Sequence, residues 1–269
     1  MAKASISKAW DEARAILARD GSVLATIALA LIVLPGLLAD LFMPGISAKP
    51  LNPGPSLIVV VVLFAIGLVG QLAVIRIAVG NGGTVAAAIQ HAARRTLPYV
   101  AACMVWGIPL ALMMLIISRN ADQTNPPDPS TAALVLVTAI ALLVGLVAVV
   151  PRMLLSAAIA CNENVGPLQI VRRSWTLSRG NWLRLLGFFL LFVILLLVVM
   201  AAVAAIVGTV AAIIFGKLEP WSIGAFIVSL VSQLAGAVLS VLFSLMIARI
   251  YLQLAGPDQA SRSVPSSVD

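Results

Sequence analysis

The sequence predicts an all-α, polytopic integral membrane protein: a helical bundle of six spans plus three interfacial amphipathic helices, arranged as a pseudo-threefold repeat of surface helix, span, span. Three observations predict it: an apolar composition, six runs long enough to cross a bilayer, and a basic amphipathic segment before each odd-numbered span. Of 269 residues 62% are hydrophobic and 10% charged. A soluble domain carries about 25% charged residues, so a bilayer is the solvent this chain suits.

A hydrocarbon core of about 30 Å needs roughly 20 helical residues. Runs of that order occupy 22–42, 56–79, 99–117, 132–150, 185–215 and 223–250. They are continuously apolar, without the alternation of a lipid-facing strand, and a helix satisfies its own backbone where no water can. The fifth run exceeds what a bilayer needs and predicts tilt, a kink or an extension beyond it. Lys3 and Lys8 precede the first run as in a signal peptide. That run is too long and lacks a small-residue cleavage site, so it is expected to be retained as a span. A single membrane domain is expected over 1–255, and a disordered polar tail over 256–269.

Basic residues near span ends are held on the cytoplasmic side. Lys3, Lys8, Arg14, Arg19, Arg76, Arg94, Arg95, Arg152, Arg172, Arg173, Arg179, Arg184, Arg249 and Arg262 fall on one side, and Lys49, Arg119 and Lys217 on the other. Fourteen against three predicts both termini cytoplasmic. The formal charge of +7 then faces anionic headgroups, and nucleic-acid binding is not expected.

The repeat units run over about 4–80, 84–161 and 166–254. In the third, Pro167 suits a first helical turn. Leu168, Ile170, Val171, Ser174, Trp175 and Leu177 share one side, and Gln169, Arg172, Arg173 and Thr176 the other. In the second, Thr84 is a candidate N-cap, with Val85, Ala88, Ile89 and Ala92 opposite Gln90, His91, Arg94 and Arg95. The first pairs Ile6, Ala9, Trp10, Ala13, Ile16 and Leu17 with Lys8, Asp11, Glu12 and Arg14. Such helices should lie in the interface with Trp10, Trp175 and Trp182 as anchors. The stretch 19–24 aligns with 178–183, which matches Gly21 to Gly180, next to Asn181, at the turn into the span.

The second span of each unit closes on an arginine: Arg76, Arg152 and Arg249. An arginine at that depth either snorkels as a topological anchor or finds an anion. The sharper reading makes these three, with Arg172, Arg173, Arg179 and Arg184, contacts for anionic lipid headgroups.

The segment Arg173-Ser174-Trp175-Thr176-Leu177-Ser178-Arg179-Gly180-Asn181-Trp182-Leu183-Arg184-Leu185-Leu186-Gly187 resembles the membrane domain family named after glycerophosphoryl diester phosphodiesterase. The closing Ala248-Arg249-Ile250-Tyr251-Leu252-Gln253-Leu254 is similar to the end of that domain, so the resemblance spans most of residues 1–255. It implies a bacterial cytoplasmic-membrane protein. In some members the membrane region is fused to a catalytic barrel; that barrel needs about 250 further residues, whereas only a short polar tail follows Leu254 here. The resemblance therefore implies a membrane domain working near glycerophospholipids or beside a partner, without the phosphodiesterase activity.

Catalytic, metal and cofactor sites are not expected. The ten acidic residues, among them Asp40 and Glu163, avoid the span centres, which disfavours carboxylate-based ion coupling. His91 is the single histidine and is expected to be solvated. Cys103 and Cys161 suggest neither a disulfide nor zinc. Asn162-Glu163-Asn164 reads as a helix-ending turn rather than a calcium loop. Gly67, Gly70 and Gln71 suggest a close helix contact with a polar lock, and Pro35 and Pro109 suggest kinks. Ser229, Ser232, Gln233, Ser240 and Ser244 share one face of the sixth span, which is expected to look into the bundle and, with Gln71, to line a cleft. The expected function is non-enzymatic phospholipid binding or membrane lipid handling in envelope maintenance, with membrane phospholipids as partners. A small permease-like transporter and a scaffold for a separate enzyme are the alternatives.

Overall fold

The computed structural model describes residues 4–42, 53–80, 84–121, 129–216 and 221–256; the expectations for Lys3, Lys49, Lys217, Arg262 and the tail beyond Gly256 lie outside them. Among the described residues every regular element is helical. Six helices are long and apolar enough to cross a bilayer: Ile6–Asp40, Ile58–Val79, Val85–Asn120, Pro129–Asn162, Trp182–Phe215 and Ile223–Ala255. A multi-pass membrane protein needs this set.

α1 (Ile6–Ala28) begins at Ser5, whose side chain accepts from the Lys8 amide. It passes through Leu29–Val33, one wide turn of π-helix, into α2 (Leu34–Phe42). The wide turn has a cause in Pro35. Its ring has no N–H and crowds the carbonyl four residues back, at Leu31, and widening the helix there relieves the clash. α3 (Pro53–Val79), α4 (Val85–Ala121), α5 (Pro129–Met153), α6 (Ser156–Asn162), α7 (Pro167–Ser178), α8 (Trp182–Phe215) and α9 (Ile223–Ala255) follow. α8 is unbroken over 34 residues, about 51 Å of helix, so tilt or extension beyond the bilayer takes up the excess rather than a kink.

α3 packs against α2, α4 and α9, and α9 against α1 and α8. The core gathers where these meet α6: Leu24, Ile27, Leu72, Ile75, Leu155, Ile159, Leu245, Ile247 and Ile250 are buried. Outward, large apolar side chains stand bare, with Ile213 78% exposed, Leu191 64% and Val137 64%. Apolar exposure on that scale is untenable in water and ordinary against lipid.

Two of the three expected surface helices are not separate elements. The first continues into its span, with a kink at Asp20 (φ −113°, ψ 15°). Gly21 is not left-handed; the bend falls one residue earlier, where Arg19 and Asp20 pair at 2.7 Å. The second begins as read, with the Thr84 hydroxyl accepting from the Ala87 amide at 3.3 Å, but runs unbroken through Pro98 and Pro109 to the end of α4. Only α7 stands alone, closed by Gly180 at φ +80°. Its buried face is Ile170, Ser174 and Ser178, and Leu168, assigned to that face, is 60% exposed because it lies beside Gln169 and Arg172 instead.

Candidate functional site

The helix ends carrying Arg76, Arg152 and Arg249 come together around α6. α6 is short and, up to Cys161, wholly buried. Its last carbonyls carry the partial negative charge of a helix C-terminus, and cations collect there. Arg76 Nη1 donates to the Cys161 carbonyl at 3.3 Å and to Asn162 Oδ1 at 3.4 Å. His91 Nε2 meets the same Cys161 carbonyl at 2.8 Å, so it is docked rather than solvated. Arg95 donates to Asn164 Oδ1. Arg173 Nε donates to Glu163 Oε1 at 3.2 Å, and the Tyr251 hydroxyl to the same oxygen at 3.0 Å. The Asn162-Glu163-Asn164 turn ends α6 as expected, with Glu163 extended, and ties α3, α4, α7 and α9 together. Asn162 and Asn164 alternate with the carboxylate, which is how three arginines reach three successive side chains.

Arg152 and Arg249 are held differently. Arg249 Nε lies 3.9 Å from Glu12 Oε2, too long for a hydrogen bond. The Arg152 guanidinium sits over the Trp175 ring, 4.1 Å from its centroid, with the Trp182 ring at 5.9 Å; such stacking contributes about 0.5–2 kcal/mol. Ser174 Oγ donates to the Arg152 carbonyl, fixing α7 to the end of α5. Two donors in this corner, Arg152 Nε and Trp182 Nε1, are buried without a hydrogen-bond partner among the described residues. Arg172, Arg179 and Arg184 are exposed, and Arg184 also donates to the Ala4 carbonyl at 3.2 Å.

Of the expected turn residues, Asn181 is 4% exposed and does not cap α8 with its side chain. Its Oδ1 accepts from the Ala4 amide at 3.1 Å, while Gln253 Oε1 accepts from Ser5 at 2.8 Å. Trp10 is 40% exposed; Trp175 and Trp182 are half-buried against Arg152.

A family model described as a domain of unknown function, DUF7847, matches residues 3–254. The chain belongs to that family. The DUF7847 match ends one residue short of the end of α9, so family domain and helical bundle coincide. No curated protein and no solved structure matches the chain. Membership assigns no activity, substrate or partner.

Along the polar stripe of α9 in this DUF7847 bundle, Ser229, Ser232, Gln233 and Ser240 are half-buried and Ser244 is buried. Ser229 and Gln233 both donate to Asp40 Oδ2, the latter at 3.0 Å, and Gln233 packs where a side chain on Gly36 would stand. Ser232 is half-buried. Ser240 lines a cavity of about 300 Å³ with Pro35, Gly36, Gly67 and Gln71. Ser244 lines a second, about 150 Å³, with Gln71, Tyr99, Trp106 and Ser156. Asp40 was absent from the sequence-based site because it lies near the end of its span; its partners are 189 and 193 residues away. Among the described residues no three His, Cys, Asp or Glu side chains converge as a metal site would require.

Proposed function

We propose that this is a non-enzymatic, phospholipid-binding protein of the bacterial cytoplasmic membrane, seated with both termini and the arginine-rich end at the cytoplasmic leaflet and serving lipid handling in the envelope. The observation that carries the reading is the Arg152 corner. A guanidinium held over Trp175 leaves Arg152 Nε and Trp182 Nε1 buried without acceptors among the described residues, and the helix that carries Trp175 also carries the exposed Arg172 and ends at the exposed Arg179. An anionic phosphate oxygen supplies what those donors lack, with charge-assisted geometry that arginine favours. In this reading Arg76 builds the site rather than touching lipid, since the end of α6 engages it, while Arg249 Nε, 3.9 Å from Glu12, is like Arg152 Nε buried without a hydrogen-bond partner among the described residues. α7 lies in the interface, and the amphipathic starts of α1 and α4 are its counterparts in a divergent threefold repeat. The resemblance of the Arg173–Gly187 segment to the glycerophosphoryl diester phosphodiesterase membrane domain supports the same lipid class.

Native mass spectrometry of gently released protein tests this. Each surface arginine contributes about 1 kcal/mol toward anionic lipid, so Arg172→Gln with Arg179→Gln should weaken retention of phosphatidylglycerol roughly 30-fold. Replacing Lys49, Arg119 and Lys217 together should leave it unchanged. Equal losses in both variants would overturn the headgroup site, and a stoichiometric protein with no selective lipid would move the assignment to a scaffold.

A permease-like reading is favoured by one specific observation: Gln71 lines both cavities, and the larger adjoins the Gln233–Asp40 cluster. Uptake of a small polar solute into proteoliposomes, lost on Gln71→Leu, would establish it; tight proteoliposomes would remove it.

A further inference from the structure

We propose that the smaller cavity, between α3, α4, α5, α6 and α9, receives the ester carbonyl of the same diacyl phospholipid whose phosphate sits at Arg152; the inference rests on the headgroup reading. The cavity contains buried donors that want an acceptor. Ser244 is 1% exposed, and its hydroxyl and the buried Trp106 Nε1 have no hydrogen-bond partner among the described residues; both residues line the space. A helical serine or threonine normally returns its hydroxyl to a carbonyl one turn back. Thr26, Thr96, Ser118, Thr176 and Ser178 all do so in this chain, and Ser244 does not. A buried hydroxyl and a buried indole N–H without acceptors are costly to leave unmade, so an occupant bearing an acceptor is favoured.

Depth and lining narrow the class. Val150 and Met153 of the cavity wall flank Arg152, and Ile75 adjoins Arg76, so this part of the wall lies within one helical turn, about 5.4 Å, of the arginine layer. That is the depth of the glycerol esters, directly below the phosphates. Among the described residues no charged side chain lines the space, which favours a neutral occupant, and Ile75, Phe243 and Ile247 supply apolar wall for the first methylenes of an acyl chain. Its volume, about 150 Å³, matches that of an engineered cavity that admits benzene. Trp106, Val150, Leu154 and Phe243 are only half-buried, which leaves a way in from the membrane side.

The experiment compares diester with diether phosphatidylglycerol, which share a headgroup but differ in the carbonyl, by native mass spectrometry of the full chain. Two neutral hydrogen bonds predict about tenfold stronger retention of the diester by the wild-type protein. Ser244→Ala with Trp106→Phe should lower diester retention to the diether level, leave the diether unchanged, and keep the preference for phosphatidylglycerol over phosphatidylcholine. Equal retention of the two lipids by the wild type would overturn the proposal without any variant having to fold. So would an ester preference that survives the double substitution, which would place the carbonyl elsewhere. Failure of the headgroup reading is separate: it shows as indifference to Arg172→Gln with Arg179→Gln, in lipids of either linkage.

Discussion

Glu163→Ala is expected to destabilise the bundle by about 3 kcal/mol, the largest effect of any polar substitution at the arginine-rich end. The Glu163 side chain is 14% exposed and accepts from both Arg173 and Tyr251. Removing it takes the carboxylate away from a part-buried pair, and breaking a fully buried pair from one side costs about 3–5 kcal/mol. Arg173 retains 34% exposure, which lets water recover part of that and sets the estimate at the lower end. Glu163→Gln keeps an acceptor for Tyr251 and loses only the charge, so it should cost about half as much. Unfolding in a denaturing detergent titration, followed by circular dichroism, measures both. An alanine variant within about 0.5 kcal/mol of wild type would show that the Asn162–Asn164 turn does not hold α7 and α9 in place.

The six spans were legible because length and continuous apolarity are local properties: four of the six runs lie wholly within a candidate span of the structure, and 22–42 and 56–79 overrun theirs by two residues at one end. The common face of the α9 serines and Gln233 was legible for the same reason: its period belongs to a single helix. The α6 hub was not. Arg76 and Asn162 are 86 residues apart, and Arg95 and Asn164 69, so neither pattern nor spacing announces them; the tripeptide read as a turn, which it is, and its side chains found partners only through packing. His91 was misplaced by the same route, since a polar face on an isolated helix looks solvated until another helix end arrives to accept from it. The separate surface helices failed for a different reason. A glycine such as Gly21 permits a break but does not require one, and the backbone continued through it with a bend at Asp20, whereas at Gly180 the left-handed turn is made.

Gly70 shows how a close approach substitutes for the missing hydrophobic drive between spans. Lipid is as apolar as the helices, so span association depends on van der Waals contact, and small residues let backbones come near. A Cβ on Gly70 would stand 2.7 Å from Leu31 Cβ and 3.2 Å from the Leu31 carbonyl oxygen. These atoms belong to the π-helical turn upstream of Pro35, near-rigid backbone rather than the end of a flexible side chain. Gly70→Ala is therefore expected to cost about 1 kcal/mol, and Gly70→Leu about 3 kcal/mol or to prevent close association of the Leu29–Val33 turn with α3, because overpacking has no relief but separation. Gly187, half-way along no such contact and with nothing within 4 Å of an added Cβ, supplies the comparison: Gly187→Leu should fall within about 0.5 kcal/mol of wild type. The same detergent titration reads both. If the two leucine variants unfold alike, the first and second spans are not held by this approach, and the larger cavity beside Gly67 and Gln71 loses the contact that shapes its wall.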